Sequence, residues 1–420
     1  MHGRQGVLCA AMWVLAMTGG CQSTGLMLSA QTPKLKALDG IITAGIEARS
    51  YPGAVIIVGK KGQALYAKAY GRQTFDPDSP RMALNTIFDL ASVSKLVGTT
   101  SAALLNLDDG KLGLDDPVAK YIPGFEAEGK EAVTIRDLMT HVSGLKPYES
   151  KDAVEKSRRE DESTADALIR AYAALKLAYP PRTDYRYSCL NFQTMARVNE
   201  VAANERMEDL LVERVYGPLG MKDTRYVLTK EQLARTAPTH RGPDGDLCRG
   251  EVHDPLARYH GSAEHCPGNA GLYSTARDLA IYCRMILNEG SWRGRRIFQA
   301  ETLRMATRRQ TPEGVTASHG LGFAIYRSAP YATELNQKPE TQIVGHFGYT
   351  GTWVWIDKHS GTFMVLLTNR TFPAEEGKVD QTPSIESVRK GAVDLVLRSL
   401  PEYAEYFAAQ PATATAPAEQ

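Results

Sequence analysis

A serine and a lysine three residues apart, in Ser92-Val93-Ser94-Lys95, stand where an amphipathic helix is predicted to begin. Residues at that spacing share one helix face. The Ser92 hydroxyl then lies beside an amine that can take its proton, one way to make a serine nucleophilic without a triad. A serine at a helix start also meets unpaired backbone N–H groups and the positive end of the helix dipole. The N–H of Ser92 is a candidate half of an oxyanion hole. Lys95, held one turn on beneath apolar neighbours, is expected to have a lowered pKa and to act as base. The bare spacing fits a helix cap and a surface lysine equally well, so the case depends on partners elsewhere in the chain.

Two segments offer such partners. Tyr187, in Tyr185-Arg186-Tyr187-Ser188-Cys189, could relay a proton between nucleophile and leaving group if a nearby cation lowers its pKa from the usual value of about 10. In Gly345-His346-Phe347-Gly348-Tyr349-Thr350-Gly351 the glycines would let a backbone edge lie close to a ligand. The Tyr349 N–H could complete the oxyanion hole, and His346 could donate to substrate or to Tyr187. The plainer readings are a half-buried tyrosine and a tight turn with a structural histidine. Thr140-His141-Val142-Ser143-Gly144 lacks the first glycine and the preceding strand of a nucleophile elbow, and reads as a turn packed near the site. His253-Asp254 reads as loop structure, with a place at the cleft rim open to it.

Helical periodicity runs over Leu35–Ala48, over the stretch from Val93 to Leu107, and over 133–138, 165–177, 191–203, 207–216, 275–287 and 384–400. Strand signals cover 54–59 and 63–71 around Lys60-Lys61-Gly62, then 341–345, 352–356 and 363–368, with a hairpin turn over 357–361. Trp353 and Trp355 face one side of their strand, with core packing as the expected role. Residues 237–269, rich in Gly, Pro, His and charge, read as a long loop region. Strands near both termini and helices between them predict an α+β chain. Its terminal strands would pair into one antiparallel sheet against a helical lobe, with the site in the cleft between.

The set Ser92-x-x-Lys95, Tyr187-Ser188 and His346-x-Gly348 resembles the serine beta-lactamase-related family, which includes class C beta-lactamases, D-alanyl-D-alanine carboxypeptidases and small-molecule esterases. The blocks 87–95, 137–145, 252–255, 270–276 and 351–357 extend the resemblance over roughly residues 35–400. It implies a beta-lactamase/transpeptidase-like fold. It also implies an acyl-enzyme on Ser92, with Lys95 and Tyr187 managing the proton and water releasing the acyl group. The family's Tyr-x-Asn is Tyr187-Ser188-Cys189 here, so Cys189, a weak donor, stands where an asparagine would bind a substrate amide. Asn191, four residues after Tyr187, would compensate if the helix has begun. The Lys-Thr-Gly of lactamases is His346-Phe347-Gly348, and Phe347 lacks the hydroxyl that helps bind a carboxylate. The substrate-binding candidates are therefore Cys189, Asn191, Phe347 and Gly348. An ester or a peptidoglycan-derived D-Ala peptide is favoured; a class C-like beta-lactamase and a non-catalytic penicillin-binding or scaffold protein are the alternatives.

The N-terminus reads as an export signal. Val7–Met17 is apolar and too short to span a bilayer, and Thr18-Gly19-Gly20-Cys21 resembles a lipobox. The expected organisation is a signal peptide (1–20), a tether (21–33), one hydrolase domain (34–405; sheet lobe 34–91 and 318–405, helical lobe 92–317) and a disordered tail (406–420). Cys21 would be the lipidated anchor of a periplasmic or cell-envelope lipoprotein. With 49 basic and 48 acidic residues, a net charge of +1 offers no reason to expect nucleic acid as partner. No obligate protein partner is evident, and the expected partners are a small substrate and a membrane. No cofactor is called for. With no Cys-x-x-Cys and no histidines at helical metal spacing, no metal site is expected. Cys248 and Cys266 are the likelier pair for a disulfide, with free thiols the alternative.

Overall fold

A computed structural model describes residues 33–326, 342–373 and 383–408. The signal, Cys21 and most of the tether lie outside the described residues. Of the expected tail, 409–420 also lies outside them, while Ala404–Ala408 forms a short helix. No helix among the described residues is long and apolar enough to cross a membrane.

The terminal strands pair as expected. Six strands, β1 (Gly53–Lys60), β2 (Ala64–Gly71), β3 (Ala324–Ile325), β4 (Ile343–Phe347), β5 (Trp353–Asp357) and β6 (Thr362–Thr368), form one sheet in the order β2-β1-β6-β5-β4-β3. Every pair is antiparallel; β1 meets β6 with Ala54 opposite Thr368 and Lys60 opposite Thr362. The centre of the sheet is covered on both faces, so β1 and β6 read as unbroken apolar runs. Alternation sorts their side chains. Ala54, Ile56, Val58, Trp353, Trp355, Met364 and Leu366 pack against two helices, α1 (Leu38–Glu47) and α7 (Ile385–Ser399). The two tryptophans are therefore core residues. Val55, Ile57, Val354, Ile356, Val365 and Leu367 face the helical lobe on the opposite side.

That lobe contains α2 (Ser101–Asp108), α3 (Ile135–Met139), α4 (Thr164–Ala174), α5 (Cys189–Ala203) and α6 (Ala276–Leu287). Helix α6 packs directly on β1 and β6, so one apolar core runs continuously from the sheet into the helices. A wide-turned helical segment, Lys95–Thr100, precedes α2. Such local widening of a helix is frequent at functional sites. Of the two states left open for the cysteines, the free thiols are found: Cys189, Cys248, Cys266 and Cys283 are free, with Cys266 and Cys283 buried. Cys248 sits on a hairpin opposite His240, and Cys266 packs in the helical core.

Candidate active site

The segment that delivers Ser92 is held from three sides. Phe88–Asp89 pairs with Tyr273–Ser274. The buried Asp89 carboxylate accepts from the Ala91 N–H and the His253 N–H, both at 2.8 Å. Burial pushes Asp89 up to about 6, the two N–H donors working against the shift. Ala91 then takes a left-handed φ of 46° just before Ser92, a conformation that non-glycine residues rarely adopt and that concentrates at functional positions.

Lys95 Nζ lies 3.0 Å from Ser92 Oγ and donates to the Asn269 carbonyl at 2.8 Å. It stands 3.7 Å from Cys189 Sγ and 4.9 Å from the centre of the Tyr187 ring. Ser92 and Lys95 both act on the Tyr187 hydroxyl and favour its ionised form. The structure thus gathers Ser92, Lys95, Tyr187 and Cys189 at one point. The charge on Lys95 departs from expectation. Burial alone would lower its pKa, but coupling to the ionisable Cys189 thiol and Tyr187 phenol, whose anions favour the ammonium, outweighs burial and leaves it raised. Tyr187 is also raised, by burial, with Lys95 opposing. At neutral pH the pair is an ammonium beside a neutral phenol.

The second backbone edge approaches along the end of β4. Thr350 Oγ1 donates to the Asp89 carbonyl and Thr352 Oγ1 to the Leu90 carbonyl, each at 2.8 Å. These bonds fasten the turn to the segment entering Ser92. Gly348 makes the approach possible: a Cβ there would stand 2.4 Å from the Leu90 carbonyl oxygen and 3.2 Å from the Ala91 Cβ. Among the described residues nothing accepts from the N–H of Ser92 or of Tyr349, so both are free to meet an oxyanion. The Tyr349 ring is exposed, stacked on His253 and 4.9 Å from the Arg370 guanidinium. Phe347 is exposed too, 5.3 Å from the Arg389 guanidinium.

Two expectations need correction. His346 is buried, and burial together with the Lys95 charge pushes it down to about 3, so it is neutral. Its Nδ1 meets the Phe347 carbonyl at 2.9 Å. A carbonyl only accepts, so Nδ1 carries the proton and Nε2 can only accept. His346 cannot donate to substrate or to Tyr187 through Nε2. Asn191 does lie within the helix that begins at Cys189, but its amide turns inward. It accepts from Ser143 Oγ at 2.6 Å and meets His141 Nδ1 at 3.3 Å, so it does not face the cleft.

That inward network is what sequence reasoning missed. His141, fully buried with φ 59°, accepts from the Ser188 N–H at Nδ1 and from the Arg186 N–H at its carbonyl, both at 3.1 Å. Its ring lies 4.5 Å from the Tyr187 ring. His141 therefore grips the residues on either side of Tyr187 as well as Tyr187 itself. His141→Ala should lower kcat about 10²-fold, the scale of an ångström-level misplacement, together with a measurable drop in melting temperature. Unchanged kcat in folded protein would contradict this role. Asn269, which receives Lys95, follows Gly268, whose φ of 79° and position 2.4 Å (as a Cβ) from the Phe192 carbonyl exclude a side chain. Neither His141 nor Asn269 belongs to a spacing rule. Asp254 caps the helix Pro255–His260 and His253 lines the cleft edge, so that dipeptide does both things the sequence left open.

Residues 38–386 match the family described as Beta-lactamase. A protein of Salmonella gallinarum (strain 287/91 / NCTC 13346) named "Putative D-alanyl-D-alanine carboxypeptidase" is 30% identical over 366 residues, covering 80% of this chain and 83% of its own. A solved penicillin-binding protein homolog from Caulobacter crescentus aligns with a TM-score of 0.67 at 20% identity, over 89% of this chain and 99% of that one. EstCE1, a hydrolase with promiscuous acyltransferase activity, aligns with a TM-score of 0.66 at 22% identity, over 86% and 98%.

Proposed function

The chain belongs to the beta-lactamase family, a family of serine hydrolases, and on that premise we propose that it forms an acyl-enzyme on Ser92 and hydrolyses a small ester or a D-Ala peptide amide. The observation that carries this is Lys95 Nζ 3.0 Å from Ser92 Oγ, buried beneath Tyr187. In the acylation step Ser92 Oγ gives its proton to the Lys95–Tyr187 pair and bonds the substrate carbonyl carbon. The oxyanion meets the Ser92 and Tyr349 N–H groups. Tyr187 returns the proton to the leaving group as the ester or amide bond breaks. Water, losing its proton to the same pair, then attacks the acyl carbon, and the pair returns that proton to Ser92 Oγ as the acyl bond breaks. His346 Nε2, a lone-pair acceptor whose ring is 6.0 Å from that of Tyr187, adds no positive charge to the cleft.

The resting pair is fully protonated and must lose one proton before it can accept another. We therefore expect kcat/KM for a p-nitrophenyl ester to rise about tenfold per pH unit through neutrality into the alkaline range, as a property of the pair. A profile flat from pH 6 to 9 would contradict it.

Substrate preference follows from what surrounds the serine. Cys189 takes the place of an amide donor, Phe347 presents a ring where a hydroxyl would bind carboxylate, and Asn191 faces away. The enzyme should turn over short-chain p-nitrophenyl esters, and a D-Ala-D-Ala peptide more slowly, without turning over nitrocefin. Nitrocefin turnover matching that of the esters would reverse the assignment in favour of a beta-lactamase. For location, the proposal is that Cys21 carries the lipid that holds the domain at the cell-envelope membrane. Palmitate labelling should be lost in Cys21→Ala; labelling that persists would remove that anchor.

A further inference from the structure

A hairpin in the long middle loop carries a second group of chemically active side chains. His240–Arg241 pairs with Leu247–Cys248 in antiparallel register, with His240 directly opposite Cys248. Directly opposed residues in an antiparallel pair have side chains on the same face. Glu251 follows where the chain leaves the hairpin. One donor atom each from His240, Cys248 and Glu251 lie within 4.8 Å of one another. The hairpin is anchored: the Asn369 amide bonds the Pro238 and Gln73 carbonyls at 2.8 Å, and Ala237 N–H donates to Ile87 at 2.9 Å.

We infer that His240, Cys248 and Glu251 bind a thiophilic divalent metal ion, with zinc the best match. An imidazole, a thiolate and a carboxylate form a mixed donor set that suits zinc and leaves a fourth position for water. Two ligands on a tetrahedral zinc stand about 3.5 Å apart, so the side chains need contract by only about 1 Å. The half-exposed Glu251 can supply that movement by changing rotamer.

The surroundings favour this. His240 Nδ1 meets Thr239 Oγ1 at 3.0 Å, which leaves Nε2 as the coordinating nitrogen. This is the outer-partner arrangement that orients a metal-bound histidine. Nε2 already faces Glu251 Oε1 at 3.1 Å, so an ion entering between them replaces a proton. A second imidazole, that of His253, stands 6.3 Å from His240 ring to ring, and its buried Nδ1 has no hydrogen-bond partner among the described residues. It lies close enough to compete with water for the open position. Arg258 is the opposing feature, since its guanidinium also bonds Glu251. It is held independently by the carbonyls of Val252 and His253, so Glu251 can leave it without disordering it. An ion here would clip the hairpin to the loop segment that carries His253, which stacks on Tyr349 at the cleft edge.

Cobalt(II) titration of the purified full chain, followed by zinc competition, tests the site without reference to hydrolysis. The expected result is one equivalent of cobalt with a thiolate-to-cobalt charge-transfer band, displaced by zinc. Cys248→Ser should abolish the band. His240→Ala should weaken binding more than about 100-fold, since even outer partners of ligands are worth about 10- to 100-fold. Ser92→Ala should bind cobalt as the unaltered chain does, which separates this inference from the hydrolase reading. No band at stoichiometric cobalt, or a band that survives in Cys248→Ser, would overturn it.

Discussion

Ser92→Ala should lower ester turnover by about 10⁴- to 10⁶-fold in kcat and leave the fold intact. That range is what deleting an activated serine costs where nucleophile and base act as a unit. Ser92 sits in the tight turn that opens the helix, and its Oγ contacts Lys95. Losing that oxygen removes no buried apolar contact, so circular dichroism and melting temperature should match those of the unaltered chain. Any residual rate reflects the oxyanion N–H groups and binding alone, which stay in place in the alanine variant. Turnover within tenfold of the unaltered chain would remove Ser92 from the chemistry.

Lys95→Met should have the second largest effect, a loss of about 10³-fold or more in kcat, and it separates chemistry from architecture. Lys95 is completely buried, yet it carries its charge, because coupling to the ionisable Cys189 and Tyr187 outweighs burial. Methionine fills nearly the same volume without that charge. Removal leaves the Asn269 carbonyl without its donor, a cost of about 1–3 kcal/mol. Relief of the buried charge works in the opposite direction, and replacing buried charge with a packed apolar side chain is often neutral or stabilising. The expected result is therefore activity lost with stability changed by no more than about 2 kcal/mol in denaturant unfolding. A large loss of both would make Lys95 a structural residue. Retained activity in a stable protein would leave only Tyr187 to receive the serine proton.

The parts of this molecule that could be read from the chain are those set by local periodicity. Ser92 and Lys95 lie three apart, so even a short helical turn brings them together. The runs over 54–59 and 363–368 are apolar enough to be central strands, and their positions near the two termini left pairing as the simplest closure. What could not be read is set by long-range packing. Lys95 reaches the Asn269 carbonyl, 174 residues away, through a backbone acceptor that any residue type could supply. His141 holds Ser188, next to Tyr187, across 47 residues, and its own segment resembles an ordinary turn. Asn191 has the sequence position to face the cleft, but Ser143 and His141 draw its amide inward. His346 has a donor's residue type, but burial beside Lys95 and the Phe347 carbonyl fix it as an acceptor. His240, Cys248 and Glu251 follow no metal-spacing pattern because a hairpin, not a helix, brings them together.

Ser92 is the residue expected to form the covalent intermediate. The most direct test is peptide mapping by mass spectrometry after treatment of the full chain with a fluorophosphonate. One adduct per chain is expected, on the peptide containing Ser92, and absent from Ser92→Ala. An unmodified Ser92 after complete inactivation, or an adduct on any other residue, would contradict the account.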